Sequence, residues 1–175
     1  MERVSIVQGE HAVVAKPNVV ISTVLGSCVA VCLQDNVAKV GGMNHFLLGE
    51  PAADQSVRCQ NLPSYGIHAM ELLINEMMRQ GAARNRLRAH LYGGANMIAG
   101  LGSIGSTNAE FARRFVETEG IAIAHMDLGG TRARRVEFQP FEGRSRCNHV
   151  AQAPEAIAPP PFRRPLEIVG EVELF

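Results

Sequence analysis

Hydrophobic and polar residues alternate through the N-terminal part of the chain in the way that is typical of β-strands. Two short apolar runs, residues 3–8 and 11–15, lie on either side of Gly9. A third run begins at Val19, after Lys16-Pro17-Asn18 has interrupted the pattern. The pattern therefore predicts three short strands before the first candidate functional residues.

The next two apolar runs belong together. Residues 29–33 alternate between larger and smaller apolar side chains, and residues 40–48 are again mostly apolar. Asp35 and Asn36 lie between the two runs, and both residue types favour turns. This segment predicts a β-hairpin.

The position of the hairpin turn decides which residues face each other. With a turn centred on Asn36 and Val37, Cys28 lies directly opposite His45. Such residues have β-carbons about 5 Å apart, close enough for a thiol and an imidazole to share a proton. A slip of one residue would separate them onto opposite faces. The hairpin predicts a cysteine nucleophile with a histidine base, and simple packing of a buried cysteine is the alternative.

Glycines near these two residues would leave the backbone open to a substrate. We expect a glycine-lined cleft, bordered by a polar surface loop at residues 49–63. The residues predicted to line the cleft are Gly26, Gly41, Gly42, Asn44, Gly93 and Gly94.

Helices and strands alternate in the second half of the chain. Apolar residues recur at steps of three and four between residues 65 and 80, and Gly81 then ends the predicted helix. A second helix is predicted to begin at a capping box formed by Thr107 and Glu110. Short apolar runs predict strands at 87–92, 121–126 and 131–138.

Composition limits the possible classes of protein. A chain of 175 residues with 46% apolar residues is one domain with a sizeable core. Basic and acidic residues are equal in number, 17 each, and tryptophan is absent, so nucleic acid is not expected as a partner. No apolar stretch is long enough to cross a membrane, which predicts a cytoplasmic protein without membrane insertion.

The cysteines and histidines show no metal-binding pattern. Cys28, Cys32, Cys59 and Cys147 form neither a CxxC motif nor paired metal spacing, so we expect reduced thiols, no disulfide and no structural metal. No cofactor is expected either.

One glycine motif imitates a dinucleotide-binding site. Residues 100–105 fit G-x-G-x-x-G, and Asp127 follows at a distance similar to that of the ribose-binding acidic residue. The motif does not follow a strand directly, and the helix predicted from Thr107 begins too late. We therefore expect a loop at the cleft and treat nucleotide binding as a minor alternative.

A series of ordered segments resembles the CheD family, the chemoreceptor glutamine deamidases of bacterial chemotaxis. The resemblance covers nearly all of residues 1–146. The matching segments are LGSCVAVCL, VGGMNHFLL, YGIHAMELLINEMMRQGA, LYGGANM, IGSTNAEFARRF, EGIAIAHMDLGG and RRVEF.

The resemblance implies a cysteine-dependent protein-glutamine glutaminase that acts through a thioester. It implies that Cys28 is the nucleophile and His45 the base, with a thiolate–imidazolium pair as one form of this arrangement. A family threonine that holds the histidine stands six residues before the cysteine, at Ser22 here, whereas the threonine itself is at Thr23. Both remain candidates. The backbone N–H groups of Ser27 and Cys28 are the expected oxyanion donors.

The resemblance also implies an architecture and partners. We expect a single-domain α/β three-layer sandwich of mixed, largely antiparallel sheet with two main helices, similar to a cysteine hydrolase, at residues 1–149, and an Ala/Pro-rich linker and tail at 150–175. The implied substrate is the cytoplasmic helical bundle of a chemoreceptor, as glutamine amides and also as methyl esters. A CheC-type phosphatase is a possible partner, and a non-catalytic chemotaxis adaptor is the alternative function.

Overall fold

The computed structural model describes residues 1–48, 58–97 and 103–151 of the chain. Within this part the chain forms nine β-strands, two α-helices and a short 3-10 helix at Arg84–Arg86. The strands are β1 (Glu2–Ser5), β2 (His11–Val14), β3 (Val19–Leu25), β4 (Val29–Asp35), β5 (Val40–Phe46), β6 (Leu87–Gly93), β7 (Ala122–Leu128), β8 (Arg134–Gln139) and β9 (Arg144–His149). The helices are α1 (Arg58–Arg79) and α2 (Ile104–Thr118).

These elements form three layers. A five-stranded sheet has the order β2-β5-β4-β6-β7, and a four-stranded sheet has the order β1-β3-β8-β9. Only the pairs β1·β3 and β6·β7 are parallel among the described strands. Both helices pack against the five-stranded sheet. The predicted α/β three-layer sandwich with a largely antiparallel sheet and two main helices is confirmed.

Strand β4 is buried on both of its faces. Val29, Val31 and Leu33 pack into the core beneath the helices. Ala30 and Cys32, which alternate with them, pack into a second core between the two sheets. Because both faces are covered, the strand is apolar throughout instead of alternating with polar residues.

The hairpin of β4 and β5 is present, but its predicted register is wrong by two residues. Ala30, not Cys28, lies opposite His45. Cys28 comes just before the strand and packs in the core between the sheets together with Ala30. A shift of two residues keeps side chains on the same face, so Cys28 and His45 remain diagonal neighbours on one face of the sheet.

The side chain of Asp35 explains the difference in register. Its Oδ1 accepts hydrogen bonds from the backbone N–H groups of Val37 and Ala38 at 2.9 and 3.1 Å. Its Oδ2 forms an ion pair with Arg86 at 2.7 Å. Burial alone would raise the pKa of Asp35, but these contacts hold it at about 2. The carboxylate thereby stabilises a longer turn, and Asp35 pairs with Val40.

Helix α1 is longer than predicted. It spans Arg58–Arg79, so the last residues of the predicted loop 49–63 are helical, while residues 49–57 lie outside the described residues. Gly81 follows with φ +100°, a conformation that favours glycine, and ends the helix as expected. Over the described residues no helix is long and apolar enough to cross a membrane.

Helix α2 begins earlier than predicted, and the capping box is wrong. The helix starts at Ile104, and the Thr107 hydroxyl donates to the carbonyl of Ser103 at 2.9 Å. Gly105 lies in the first turn of this helix, where a β-carbon would collide with the carbonyl of Ala95. The glycine that predicts a loop in the sequence instead allows the helix to pack closely against the backbone of Ala95.

Strand β8 contains a buried cation. Arg134 is only 1% exposed and forms an ion pair with Asp127 at 3.2 Å. It also donates to the carbonyls of Gly93, Asp127 and Gly129. The Asp127 carboxylate additionally accepts the thiol of Cys147. Its oxygens are therefore used within the fold, which counts against a ribose-binding role.

The C-terminal part of the domain differs from prediction in one further element. Strand β9, Arg144–His149, pairs with β8 and completes the four-stranded sheet, although its polar sequence did not predict a strand. The predicted linker and tail at 150–175 lie outside the described residues beyond Ala151.

Candidate active site

A buried threonine and a buried histidine form the centre of the site. Thr23 in β3 and His45 in β5 belong to different sheets that face each other across the inner core. The Oγ1 atom of Thr23 lies 2.8 Å from Nδ1 of His45. Both side chains are less than a tenth exposed. The hydrogen bond therefore joins the two sheets in a nearly water-free setting.

The hydrogen bonds of Thr23 fix the tautomer of the neutral ring. The hydroxyl has a single proton, and Oγ1 donates it to the carbonyl of Ile6 at 2.8 Å. The bond to His45 must then run the other way, with Nδ1–H donating to Oγ1. A neutral imidazole with its proton on Nδ1 has a free lone pair on Nε2. His45 is thus arranged as a base at Nε2.

Ser22 does not reach this histidine. It precedes Thr23 in the same strand, so its side chain points to the other face of the sheet. There its Oγ lies 3.3 Å from Oγ of Ser5 in β1. Of the two candidate hydroxyls, the structure brings Thr23 and not Ser22 to His45.

Cys28 immediately precedes β4 and packs in the inner core with Ala30, the residue opposite His45. Diagonal neighbours in a sheet have β-carbons within about 7 Å, a distance that an imidazole can span. Among the described residues, the hydrogen bonds do not include one between Sγ and His45. The thiol instead donates to Oε1 of Gln8 at 3.5 Å.

Burial determines the resting charge of both groups. It raises the pKa of the Cys28 thiol to about 11, although the Cys28 backbone N–H partly opposes this shift. It lowers the pKa of His45 to about 4, with Glu10 acting weakly in the opposite direction. A neutral thiol beside a neutral imidazole is therefore the resting state, and the expected standing thiolate–imidazolium pair is not favoured.

Two of the predicted cleft glycines contact the backbone of the candidate nucleophile, Cys28. The N–H of Gly94 donates to the carbonyl of Cys28 at 2.8 Å. A β-carbon at Gly93, which has φ +109°, would collide with the same carbonyl. Gly26 also lies in this region, since a β-carbon there would be 2.6 Å from Sδ of Met97. These glycines permit close approach of the backbone around Cys28.

Three other predicted cleft residues have structural roles elsewhere. A β-carbon at Gly41 would be 2.6 Å from the carbonyl of Pro140, and one at Gly42 would be 2.8 Å from Leu73. Asn44 faces the helices, where its Oδ1 accepts from the N–H of Val31 at 3.0 Å. Packing explains Gly41 and Gly42, whose role in a cleft stays a prediction, whereas Asn44 also lines the cavity beside His45.

Sequence reasoning missed Asn108 of α2, a buried residue that links both halves of the site. Its Nδ2 donates to the carbonyl of Ser27 at 2.9 Å, and its Oδ1 accepts from the N–H of Leu48 at 3.0 Å. One side-chain amide therefore connects Ser27, which precedes the candidate nucleophile, with Leu48, which follows His45. Its place at a helical spacing that faces the core was the available signal.

The turn between β1 and β2, residues 6–10, covers the site from the N-terminal side. Besides the contact of Ile6 with Thr23, the N–H of Gly9 donates to the carbonyl of His45 at 2.8 Å. The N–H of His45 donates to the carbonyl of Glu10 at 3.0 Å. The main chain of this turn is thus bound to both buried members of the site. Sequence reasoning did not connect it with them.

A cavity of about 210 Å³ opens beside this turn. It is lined by Gly9, Glu10, His11, Asn44, His45, Phe46, Tyr65, His68, Ala69 and Leu72. A larger cavity of about 620 Å³ lies between α1 and α2, and its lining includes none of the predicted site residues. Among the residues that the structure describes, no group of histidine, cysteine and acidic side chains is arranged to hold a metal ion.

Comparison with known proteins gives the family. Residues 47–149 match the model of the CheD family, described as CheD chemotactic sensory transduction. A protein of Zymomonas mobilis is 56% identical over 149 residues, which cover 85% of this chain and 81% of the relative. A protein of Caulobacter vibrioides is 47% identical, covering 99% of this chain and 93% of the relative. Both are named "Probable chemoreceptor glutamine deamidase CheD".

The chain therefore belongs to the CheD family. The Caulobacter relative covers nearly the whole chain, including residues 28–45 with the candidate nucleophile and base, which the family model does not reach. Among solved structures, a Neisseria meningitidis protein of the DUF152 family is 10% identical with a TM-score of 0.46, covering 74% of this chain and 64% of that one.

Proposed function

We propose that this protein deamidates glutamine side chains of chemoreceptors, with Cys28 as nucleophile and His45 as base. The observation that supports this most directly is the hydrogen bond from His45 Nδ1 to Thr23, which leaves Nε2 free on the sheet face that Cys28 shares. Membership of a family whose members are named chemoreceptor glutamine deamidases supplies the substrate class.

The first half of the reaction follows from the neutral resting pair. Nε2 of His45 takes the thiol proton as Sγ of Cys28 attacks the carboxamide carbon of the substrate glutamine. The imidazolium that forms keeps its Nδ1–H on Thr23, so the ring does not need to turn. The tetrahedral intermediate then collapses, the C–N bond breaks, and ammonia leaves with the proton from His45.

The second half releases the product. Water attacks the thioester carbon and gives a proton to Nε2 of His45, the C–S bond breaks, and Cys28 recovers its proton. A glutamate remains on the receptor. The backbone N–H groups of Ser27 and Cys28 are the proposed oxyanion donors in both halves. The Cys28 N–H slightly lowers the pKa of its own thiol, which supports the proposal of a donor near the sulfur.

The proposed setting is the cytoplasm, where the helical bundle of a chemoreceptor is accessible. Each turnover adds one negative charge to a helix surface, where a charged pair four residues apart changes helix stability by about 0.2–0.5 kcal/mol. We also propose a CheC-type phosphatase as a binding partner, supported by family membership alone. Copurification of the two proteins tests this point separately.

Mass spectrometry tests the proposed activity. The full-length chain is incubated with a cytoplasmic receptor fragment, and specific glutamines should gain about one dalton as ammonia is released. Cys28→Ala should lower the rate by about six orders of magnitude, to background. His45→Gln should also be inactive.

A matched control distinguishes loss of the nucleophile from loss of a thiol. Cys32→Ala makes the same change four residues further along the chain, in the same core, and should retain activity. Receptor binding without any change in mass would instead indicate the adaptor function, and the deamidase proposal would then be abandoned.

A further inference from the structure

The side chain of Gln8 is hydrogen-bonded to the thiol of Cys28, the candidate nucleophile. Its Oε1 is 3.5 Å from Sγ of Cys28 and accepts the thiol proton. The residue itself is exposed, whereas Cys28 is 9% exposed. An exposed residue therefore brings its carboxamide into contact with the sulfur.

The backbone holds Gln8 in this place. Ile6, on one side of it, accepts the hydroxyl of Thr23, and Gly9 and Glu10, on the other, are bonded to the main chain of His45. Oε2 of Glu10 also accepts the N–H of Val7 at 2.9 Å, which closes the turn. The turn that carries Gln8 is therefore fixed to the two other groups that would act in catalysis.

We propose that Gln8 is a substrate-binding residue that recognises the carboxamide of the incoming glutamine. A carbon about to be attacked lies about 3–3.5 Å from the nucleophile, the same distance at which Oε1 of Gln8 now lies. The substrate amide must therefore enter next to the Gln8 amide. This inference rests on the proposed deamidase function and adds a specificity residue to it.

Two carboxamides are complementary to each other. The Gln8 Oε1 atom can accept an N–H of the substrate amide once the Cys28 thiol proton has passed to His45. A methyl ester has no N–H to donate, so it gains nothing from this acceptor. A product carboxylate would place an oxygen against Oε1, which is unfavourable. Gln8 thereby favours an amide over an ester and over the product.

Gln8→Met tests this with a side chain of similar length that lacks the amide. We expect kcat/KM for receptor glutamine to fall about 10-fold, the size of one hydrogen bond, while kcat/KM for the corresponding methyl ester is unchanged. Gln80→Met is the matched control, since Gln80 is an exposed glutamine at the end of α1, and it should change neither substrate. Melting temperature confirms that the variants fold.

A binding measurement needs no turnover. In a Cys28→Ala background, the protein should bind a receptor fragment with glutamine more tightly than the same fragment with glutamate, and Gln8→Met should remove this preference. Should the wild type convert neither substrate, the proposed function fails, while this preference still decides the role of Gln8.

Three results would overturn the role of Gln8. An equal fall for amide and ester would mean that Gln8 only supports the turn, and an equal rise would mean that it only covers Cys28. Conversion of Gln8 itself to glutamate in the wild type but not in Cys28→Ala, seen as a gain of about one dalton in its peptide, would make it a substrate.

Discussion

Thr23 holds the imidazole of His45 by a 2.8 Å hydrogen bond whose direction is set by the carbonyl of Ile6. Thr23→Val keeps the shape of the side chain but removes the acceptor for Nδ1–H. We expect kcat to fall about 100-fold, the effect of misplacing a catalytic group by about 1 Å. Thr23→Ser should retain most activity.

Ser22→Ala is the control for this experiment because it removes a neighbouring hydroxyl from the opposite face. It should leave kcat close to wild type. The reverse result, a large loss in Ser22→Ala and little change in Thr23→Val, would show that the serine and not the threonine orients the base. The measurement is ammonia release from a receptor fragment.

The pH dependence of kcat/KM reports the charge of the resting pair. Since the pKa of His45 is lowered to about 4 and that of Cys28 raised to about 11, the neutral pair exists throughout the neutral range. The acid limb of the profile should therefore have its midpoint near pH 4 and not near 6.5. Circular dichroism at each pH excludes unfolding. A midpoint at pH 6 or above would contradict a neutral imidazole.

The same histidine makes the fold sensitive to acid. The unfolded chain takes up a proton at His45 near its ordinary pKa of 6.5, whereas the folded protein does so only near 4. The unfolded state therefore binds more protons between these values, and stability falls as the pH falls through this window. The loss should be about 3 kcal/mol.

Urea unfolding of the wild type and His45→Gln checks this acid effect. The variant has no proton to take up at this position, so its stability should decrease less between pH 7 and pH 4. The half-buried His90, whose pKa is also lowered by desolvation, contributes equally to both proteins and cancels. Parallel curves for the two proteins would show that His45 does not titrate in this way.

Asn108 should matter for both stability and activity. Asn108→Ala leaves the part-buried carbonyl of Ser27 and the buried N–H of Leu48 without their partner, and the buried N–H alone costs about 1–3 kcal/mol. The backbone before Cys28 also loses a support. Asn148→Ala, on the exposed part of β9, is the control and should have little effect. Urea unfolding and kcat measured together test the prediction, which fails if Asn108→Ala is as stable as wild type.

Gly93 should not tolerate a side chain. Its φ of +109° already disfavours alanine, and the added β-carbon would collide with the Cys28 carbonyl. Gly120→Ala, at φ +67° in open space, has only the backbone cost of about 1–2 kcal/mol. Gly93→Ala should be clearly less stable than Gly120→Ala and should lose activity. Equal unfolding curves would show that the contact with Cys28 is unimportant.

The hairpin illustrates what sequence can and cannot determine. Alternation of apolar residues located both strands, and the layer order followed from the sequence of elements together with the family resemblance. The register did not, because the length of the turn depends on how Asp35 binds Val37, Ala38 and Arg86, the last of them far away in the chain. The shared face of Cys28 and His45 was correct because the error was an even number of residues.

Other features depend on contacts between distant segments. The burial of Arg134 depends on the carbonyls of Gly93, Asp127 and Gly129 and on the carboxylate of Asp127, which the fold brings around its guanidinium. Gln8 carried no signal, since only the fold brings the first turn to Cys28. Spacing alone could not distinguish Thr23 from Ser22. Successive residues of a strand point to opposite faces, and the sequence does not show which face carries His45.

The turn at residues 6–10 is attached to the site by main-chain atoms of Ile6, Gly9 and Glu10 and by the hydroxyl of Thr23. Main-chain bonds survive most substitutions of the side chains that the turn carries. Laboratory evolution can therefore mutate the outer positions of this short segment to retune which side chains the enzyme accepts, while the groups that break the bond stay in register.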